Sequence, residues 1–328
     1  MVLQFADIKG GRKADIARAL SKIESKDGTF VHAGLIDAAT IASRAHVIGL
    51  TGPPGVGKST LTNALVNAWR SQDISVAVVA VDPSSRVTGG ALLGDRTRIT
   101  TDPDDTGVFV RSFAARDRLG GLSEHAIAAI RLLSAFYDRV LVESVGIGQS
   151  ESDLAFAVDT TILCVQPGSG DSLQFMKAGI MELPDIVLVT KADMGRDAKR
   201  ALADVEGALS LSGRGANGTR PDLSDQPANS TVESAGQDAT VLLVSSETGA
   251  GLDAVLAACE AHRAYLGQAG RLKLKREAQD RHWLRDAVRR QFGAEGLKVL
   301  DGEPGALLET GLYGAIAQAF QSLRVTVC

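Results

Sequence analysis

The sequence is poor in the features that mark several common classes of protein. Only three cysteines occur among the 328 residues, Cys164, Cys259 and Cys328, and no two are spaced as in a CxxC motif. This argues against a disulfide framework and against a cysteine metal site, and it is typical of a reducing compartment. We therefore expect a cytoplasmic protein.

Long apolar runs and basic tracts are also lacking. No apolar stretch approaches the ~18 residues that a membrane-spanning helix needs, and residues 1–28 carry charges throughout, unlike a signal peptide. The net charge is −4, and no cluster of Lys and Arg of the kind that follows a nucleic-acid backbone is present. We expect neither a membrane nor a nucleic acid as a partner.

From residue 46 onward, short apolar runs alternate with helical stretches. The seven runs, rich in Val, Ile and Leu, are 46–51, 75–81, 107–113, 139–144, 160–166, 185–191 and 240–246. Continuous apolar runs of this length indicate strands buried on both faces, and hence a mostly parallel sheet covered by helices. The predicted fold class is α/β, with the sheet and its helices in a domain over residues 45–266.

Helical extensions are predicted on both sides of this domain. Residues 1–44 contain an amphipathic helix. Residues 267–328 predict a C-terminal helical arm, with helices near 273–292 and 311–325. The second of these carries an apolar stripe that must bury against the body or a second subunit. Residues 212–239, rich in Gly, Ser, Asn, Asp and Pro, predict a mobile surface insertion.

A complete phosphate-loop motif, GxxxxGK[ST], lies between the first strand and a helix predicted from Lys58 to Arg70. Its glycines allow backbone N–H groups to turn toward phosphate oxygens at a helix N-terminus, whose dipole favours anions. We expect Lys58 to reach the β- and γ-phosphates and Ser59 to hold Mg²⁺. The predicted nucleotide-binding residues here are Gly52, Pro53, Pro54, Gly55, Val56, Gly57, Lys58, Ser59 and Thr60.

The motif TKAD at 190–193 follows a later strand, where an α/β sheet presents its ligand-binding loops. The Asp193 carboxylate can accept hydrogen bonds from the N1–H and 2-amino groups of guanine, which adenine does not offer. The Lys191 stem is expected along the purine face, and backbone N–H groups of Ser245 and Ser246 as further contacts to the base. The motif favours GTP and GDP over ATP; a solvated strand end is the alternative.

Longer blocks of the sequence resemble the MeaB/ArgK branch of GTPases, which are G-protein chaperones of cobalamin-dependent acyl-CoA mutases. The resemblance covers roughly residues 12–266. The blocks that carry it are HVIGLTGPPGVGKST (46–60), AVDPSS (80–85), GGALLGDRTRI (89–99), LGGLSEHA (119–126), VESVGIGQSE (142–151), GDSLQFMKAGI (170–180) and TKAD (190–193).

The resemblance implies a homodimeric, Mg²⁺-dependent GTPase of the SIMIBI class of P-loop NTPases, with the C-terminal helices as a dimerisation arm. The implied partners are a mutase of the methylmalonyl-CoA mutase type and, in addition, the adenosyltransferase of that mutase. GTP binding and hydrolysis would gate the loading or protection of the cofactor. The sequence contains no cobalamin-binding DxHxxG pattern, so we expect no cobalamin on this chain.

Two acidic residues end predicted strands on the phosphate side. Asp82 follows the second run and Glu143 closes the fourth. Both are candidate Mg²⁺ ligands, directly or through water, because hard cations prefer oxygen; simple strand caps are the alternative. Glu143 also opens Glu-Ser-Val-Gly146, a variant of the DxxG element whose glycine N–H senses a γ-phosphate.

The resemblance places two switch segments at 88–98 and 170–180. In the first, Asp95 would orient the attacking water and serve as a candidate metal ligand, and Arg98 would offset phosphate charge. In the second, Lys177 is the candidate catalytic residue. The alternative is a Gly-rich loop with surface charges and a solvated lysine. Because these residues lie on mobile loops, we expect slow hydrolysis that accelerates when a partner orders them.

Four positions depart from the family pattern: Thr190 stands for Asn, Ser246 for Ala, Arg86-Val87 for Pro-Phe and Ser172 for an acidic residue. The Thr190 hydroxyl can still tie the base loop to the phosphate loop. These departures bear on the identity of the partner mutase more than on the GTPase.

Three other functions remain open on the sequence alone. A nickel metallochaperone GTPase would share the class, but its Cys/His motifs are lacking. A kinase for a small molecule or a periplasmic binding protein fits the phosphate loop but not TKAD. A nucleotide-bound scaffold would need Asp95, Arg98 and Lys177 to be without effect on turnover.

Overall fold

A computed structural model describes residues 2–25, 28–82, 102, 104–114, 122–144, 150–168, 184–211, 239–302 and 311–327. Within these residues a seven-stranded sheet, parallel throughout, forms the centre of the protein in the order β3-β2-β4-β1-β5-β6-β7. The strands are β1 (His46–Thr51), β2 (Val76–Asp82), β3 (Val108–Ala114), β4 (Arg139–Glu143), β5 (Thr160–Val165), β6 (Ile186–Val189) and β7 (Thr240–Leu243). The predicted α/β class is confirmed, and every apolar run forms a strand.

Helices precede, connect and follow these strands. They are α1 (Lys13–Ile23), α2 (Gly28–Val31), α3 (Ala33–Ile41), α4 (Lys58–Arg70), α5 (Glu124–Ser134), α6 (Ser150–Ala155), α7 (Arg196–Leu211), α8 (Leu252–Gly267), α9 (Arg271–Gly302) and α10 (Leu312–Val327). Within the described residues, no helix is long and apolar enough to cross a bilayer.

The strands are apolar on both faces because both faces are covered. Along β1, Val47 packs into one hydrophobic cluster, while Ile48 and Leu50 pack into another on the opposite face. The first cluster includes residues of α1, α3, α5, α9 and α10, and the second includes residues of α4 and α8. This is the arrangement that continuous Val, Ile and Leu runs predict.

The apolar stripe of α10 packs against the body of the same chain. Leu312, Ile316 and Leu323 are buried in the cluster that also contains Leu20 of α1 and Ile36 of α3. Of the two predicted partners for this stripe, the body is therefore the one that it contacts.

The first part of α9 ends at the predicted boundary, 292, and a second helical part follows it. The backbone breaks at Gly293, where φ is 63° and ψ is −153°, and helical structure resumes up to Gly302. Arg285 forms an ion pair with Asp301 although they are sixteen residues apart in sequence. Because an uninterrupted helix would separate those residues by about 24 Å, the chain folds back at the glycine.

Helix α9 is anchored at the edge of the sheet where the strands begin. Arg276 donates from Nε and Nη2 to the two carboxylate oxygens of Asp159, at 2.9 and 2.8 Å, and the Val47 N–H donates to Asp159 Oδ2 at 2.9 Å. Burial alone would raise the pKa of Asp159, but these hydrogen bonds and the Arg276 charge lower it overall. The pair ties α9 to the edge opposite the phosphate loop.

Candidate functional site

The phosphate loop connects the end of β1 to the start of α4. Gly52 has φ of 138°, and a Cβ placed there would lie 2.3 Å from the Cys164 carbonyl oxygen, so the loop can pass β5 this closely only with glycine. Gly57 has φ of 99° and directly precedes the first helical residue, Lys58. Pro54, Gly55 and Thr60 are exposed at the loop and the first turn of the helix.

Lys58 lies inside the loop that it follows. The residue is buried, and its Nζ donates to the carbonyl oxygen of Gly52 at 2.7 Å and to that of Pro53 at 3.2 Å. The ammonium group is therefore held against the backbone that precedes the loop's exposed tip.

Two hydroxyl groups of α4 bind one carboxylate at the end of β4. Ser59 Oγ donates to Glu143 Oε1 at 2.7 Å, and Thr62 Oγ1 donates to Glu143 Oε2 at 3.1 Å. Sequence reasoning selected Ser59 and Glu143 but missed Thr62. The signal was its spacing, because residues three apart on a helix share a face.

The end of β6 is tied to the phosphate loop. Thr190 Oγ1 lies 2.8 Å from the Val56 carbonyl oxygen and 3.0 Å from that of Val165. Thr190 is buried, and Lys191 after it has a left-handed backbone with φ of 55°. This is why the strand ends at Val189, short of the predicted boundary. Lys191 Nζ donates to Gln166 Oε1 at 2.5 Å.

The carboxylate of Asp193 is exposed and oriented by a serine after β7. Ser245 Oγ donates to Asp193 Oδ1 at 2.6 Å, and this hydrogen bond holds the pKa of Asp193 below its usual value. The backbone N–H of Ser245 donates to the Ala250 carbonyl oxygen at 2.9 Å. The Ser245 hydroxyl, rather than its N–H, therefore faces Asp193; the base contact of Ser246 stays a prediction.

These groups share one edge of the sheet. The phosphate loop follows β1, Glu143 closes β4, Thr190 follows β6 and Ser245 lies just beyond β7. Because the strands are parallel, their carboxyl ends lie along the same edge, where open α/β sheets bind ligands. The site thus combines anion-binding backbone, a lysine, a hydroxyl–carboxylate pair and a second carboxylate.

Several predicted site residues lie outside the described residues. They are Asp95, Arg98, Gly146 and Lys177, together with the departures at Arg86, Val87 and Ser172 and most of the insertion. For Asp82, only its backbone position at the end of β2 is described. Their predicted roles stay predictions.

The family model described as "Methylmalonyl Co-A mutase-associated GTPase MeaB" matches residues 16–297. The chain belongs to the MeaB family. The match extends beyond the resembled blocks into α9, and it makes the chain a member of a family of P-loop GTPases.

Curated relatives of this MeaB-family chain carry GTPase names. A putative GTPase of Pyrococcus horikoshii is 45% identical over 186 residues, which span 56% of this chain and 58% of that protein. The GTPase ArgK of Escherichia coli is 34% identical over 284 residues, 85% of this chain and 80% of that protein. The chain thus spans less than two thirds of the length of the archaeal relative. These names support GTP hydrolysis as the activity of the family.

A solved structure shares the fold. The crystal structure of an LAO/AO transport system kinase matches this MeaB-family chain with a TM-score of 0.66, covering 98% of this chain and 96% of the other. The sequences are 24% identical, so the likeness shows the fold alone.

Proposed function

We propose that this MeaB-family chain binds GTP along the carboxyl edge of the sheet and hydrolyses it to GDP and phosphate. One observation carries the proposal: the hydrogen bond from Thr190 to Val56 joins the loop that would hold the phosphates to the loop that would hold the base. A nucleotide that spans both loops would therefore meet two halves of a site already fixed relative to each other, which reduces the ordering cost of binding.

Guanine selectivity would come from Asp193. Like any aspartate with an ordinary or lowered pKa, Asp193 is a carboxylate at neutral pH, and Ser245 donates to its Oδ1 from one side. The carboxylate accepts hydrogen bonds from the guanine N1–H and 2-amino groups. Adenine would face it with an unprotonated ring nitrogen, so the charged acceptor would receive no hydrogen bond from the base.

Mg²⁺ fits the residues beside the phosphate loop. Ser59 Oγ and the Glu143 carboxylate are hard oxygen donors already within 2.7 Å of each other. Ser59 would bind the ion directly and Glu143 through a water, with Asp82 and Asp95 as further candidate ligands. The ion would neutralise negative charge on the β- and γ-phosphates.

The remaining roles extend the proposal to residues beyond those described. Asp95 would orient the attacking water, Arg98 would offset phosphate charge, and the Gly146 N–H would sense the γ-phosphate. Lys177 would be a further catalytic residue, on the second switch segment. A partner that orders these segments would raise the hydrolysis rate.

The family's description points to that partner. We propose a cobalamin-dependent mutase of the methylmalonyl-CoA mutase type, supported by the match over residues 16–297. The GTP cycle would gate loading or protection of the mutase's cofactor, with the mutase's adenosyltransferase as a further partner. We further propose that the protein acts as a homodimer in the cytoplasm and that this chain does not itself bind cobalamin.

The test is GTP hydrolysis by the purified protein, alone and with each cobalamin-dependent acyl-CoA mutase of its host, with ATP as the control nucleotide. The proposal predicts slow GTP turnover, negligible ATP turnover, and acceleration by one mutase. GTP turnover that no mutase changes would leave the nucleotide site standing and remove the mutase role. Equal turnover of ATP and GTP would contradict the role of Asp193.

A further inference from the structure

We infer that Thr62 is a positioning residue that holds the Glu143 carboxylate in the orientation needed for Mg²⁺. The inference rests on the proposed function, because it assigns Thr62 to the proposed metal site. Thr62 lies outside the phosphate-loop motif, which ends at Ser59. Its role is to act through Glu143 rather than to touch the nucleotide.

The geometry gives each oxygen of this carboxylate its own hydroxyl donor. Ser59 Oγ lies 2.7 Å from Glu143 Oε1, and Thr62 Oγ1 lies 3.1 Å from Glu143 Oε2. Thr62 is fully buried and Glu143 is 6% exposed. Bulk water therefore has little access with which to replace a lost donor.

A donor on the second oxygen restrains rotation of the carboxylate about its contact with Ser59. Ser59 cannot act as a dedicated anchor, because its oxygen is also the proposed direct ligand of the ion. Thr62 has no such second task. It is held by α4, which begins at Lys58 and runs without a break to Arg70.

The backbone that carries Glu143 is already fixed. The Ser144 N–H donates to the Leu50 carbonyl oxygen at 3.0 Å, and Ser144 Oγ lies 3.0 Å from Thr51 Oγ1. The orientation of the carboxylate then depends on the side-chain torsions of Glu143, and the Thr62 hydrogen bond is one restraint on them. Removing a side chain that hydrogen-bonds to a metal ligand typically lowers the affinity for the metal.

The test compares Thr62→Val, which removes the hydroxyl at nearly constant volume, with Thr62→Ser, which keeps it. Glu143→Gln reports on the proposed ligand itself. Thr161→Val is the matched control, because Thr161 is buried and its hydroxyl has no hydrogen-bond partner among the residues that the structure describes. For each variant, the dissociation rate of a fluorescent, non-hydrolysable GTP analogue is measured against free Mg²⁺, with EDTA giving the metal-free rate.

We expect Thr62→Val to raise the Mg²⁺ concentration for half-maximal slowing of dissociation by about 10-fold. Thr62→Ser and Thr161→Val should require about the same Mg²⁺ concentration as wild type. With EDTA, the dissociation rates of wild type, Thr62→Val, Thr62→Ser and Thr161→Val should agree. Glu143→Gln should raise the Mg²⁺ requirement at least as far as Thr62→Val. If Thr62→Val does not fold, Thr62→Cys, whose thiol is a weak donor, takes its place with the same expectation.

Three results would overturn the inference, and they separate it from the proposed function. A wild-type Mg²⁺ requirement in Thr62→Val beside a raised one in Glu143→Gln rejects Thr62 and leaves the metal site standing. An equal rise of the dissociation rate of Thr62→Val with Mg²⁺ and with EDTA, or an equal rise of the Mg²⁺ requirement in Thr62→Ser, assigns Thr62 to packing alone. A normal requirement in Glu143→Gln rejects the proposed ligand, and the inference with it.

Discussion

The hydrogen bond between Thr190 and Val56 makes the most quantitative prediction about this molecule. Thr190→Val keeps the shape of the side chain but removes the donor that lies 2.8 Å from the Val56 carbonyl oxygen. The Val165 carbonyl oxygen keeps the Thr190 backbone N–H, at 2.8 Å, so only the loop carbonyl is left without this donor. Thr190 is 3% exposed, which limits replacement by water.

The expected loss of stability follows from the one hydrogen bond that is removed. One buried acceptor that loses its donor costs about 1–3 kcal/mol. At about 2.1 cal/mol/K of unfolding entropy per residue, a loss of that order in a chain of 328 residues lowers the midpoint of thermal unfolding by about 1.5–4 °C. Thr190→Ser keeps the hydroxyl, and Thr190→Asn restores the residue expected from the family pattern, so both should lose less.

The assay is thermal unfolding of the nucleotide-free protein, followed by circular dichroism at fixed protein concentration. Thr161→Val is again the control, because it makes the same change at a buried threonine whose hydroxyl has no partner among the described residues. If Thr190→Val and Thr161→Val shift the midpoint equally, the hydroxyl does not tie the two loops and the reasoning fails.

Two further predictions concern the anchor of α9 and the switch residues. Asp159→Asn should destabilise the protein by about 3 kcal/mol, the lower end of the range for a broken buried ion pair, because it leaves the partly buried Arg276 charge without its carboxylate partner. Since the pKa of Asp159 is lowered in the wild type, the difference in unfolding free energy between wild type and variant is full above about pH 4 and shrinks as the pH falls through the lowered pKa. A difference that stays constant down to about pH 2 in unfolding scans would contradict this prediction. Alanine at Asp95, Arg98 or Lys177 should lower GTP turnover and leave GDP affinity nearly unchanged, and unaltered turnover in all three would support the scaffold alternative.

The sheet could be predicted because the central strands β1, β4, β5 and β6 are buried along their whole length and are built mainly from apolar residues. The predicted strand ends were less accurate where a strand stops because a polar side chain contacts a distant part of the chain. At β6 the prediction ran on to Lys191, but the Thr190 hydroxyl contacts a loop 134 residues earlier in the chain. No local pattern contains that contact.

The candidate site divides along the same line. Motif spacing identified Ser59, Glu143 and Asp193, because their residue types follow from the chemistry of phosphate, metal and guanine. It missed Thr62 and the hydroxyl role of Ser245, because each depends on which side chain from another element lies opposite. The stripe on α10 was visible in the sequence, but an apolar face alone does not identify the surface that covers it.

The most direct test of the central claim is competition binding of GDP, ADP and XDP to the wild-type protein and to Asp193→Asn. Xanthine carries a carbonyl where guanine carries its 2-amino group, and an asparagine amide can donate to that carbonyl. We predict that wild type prefers GDP over both competitors. The variant should lose affinity for GDP by about 100-fold, which corresponds to a charge-assisted hydrogen bond of about 3 kcal/mol. It should also gain affinity for XDP. Unchanged GDP affinity in the variant, or wild-type affinity for ADP equal to that for GDP, would contradict a guanine site at Asp193.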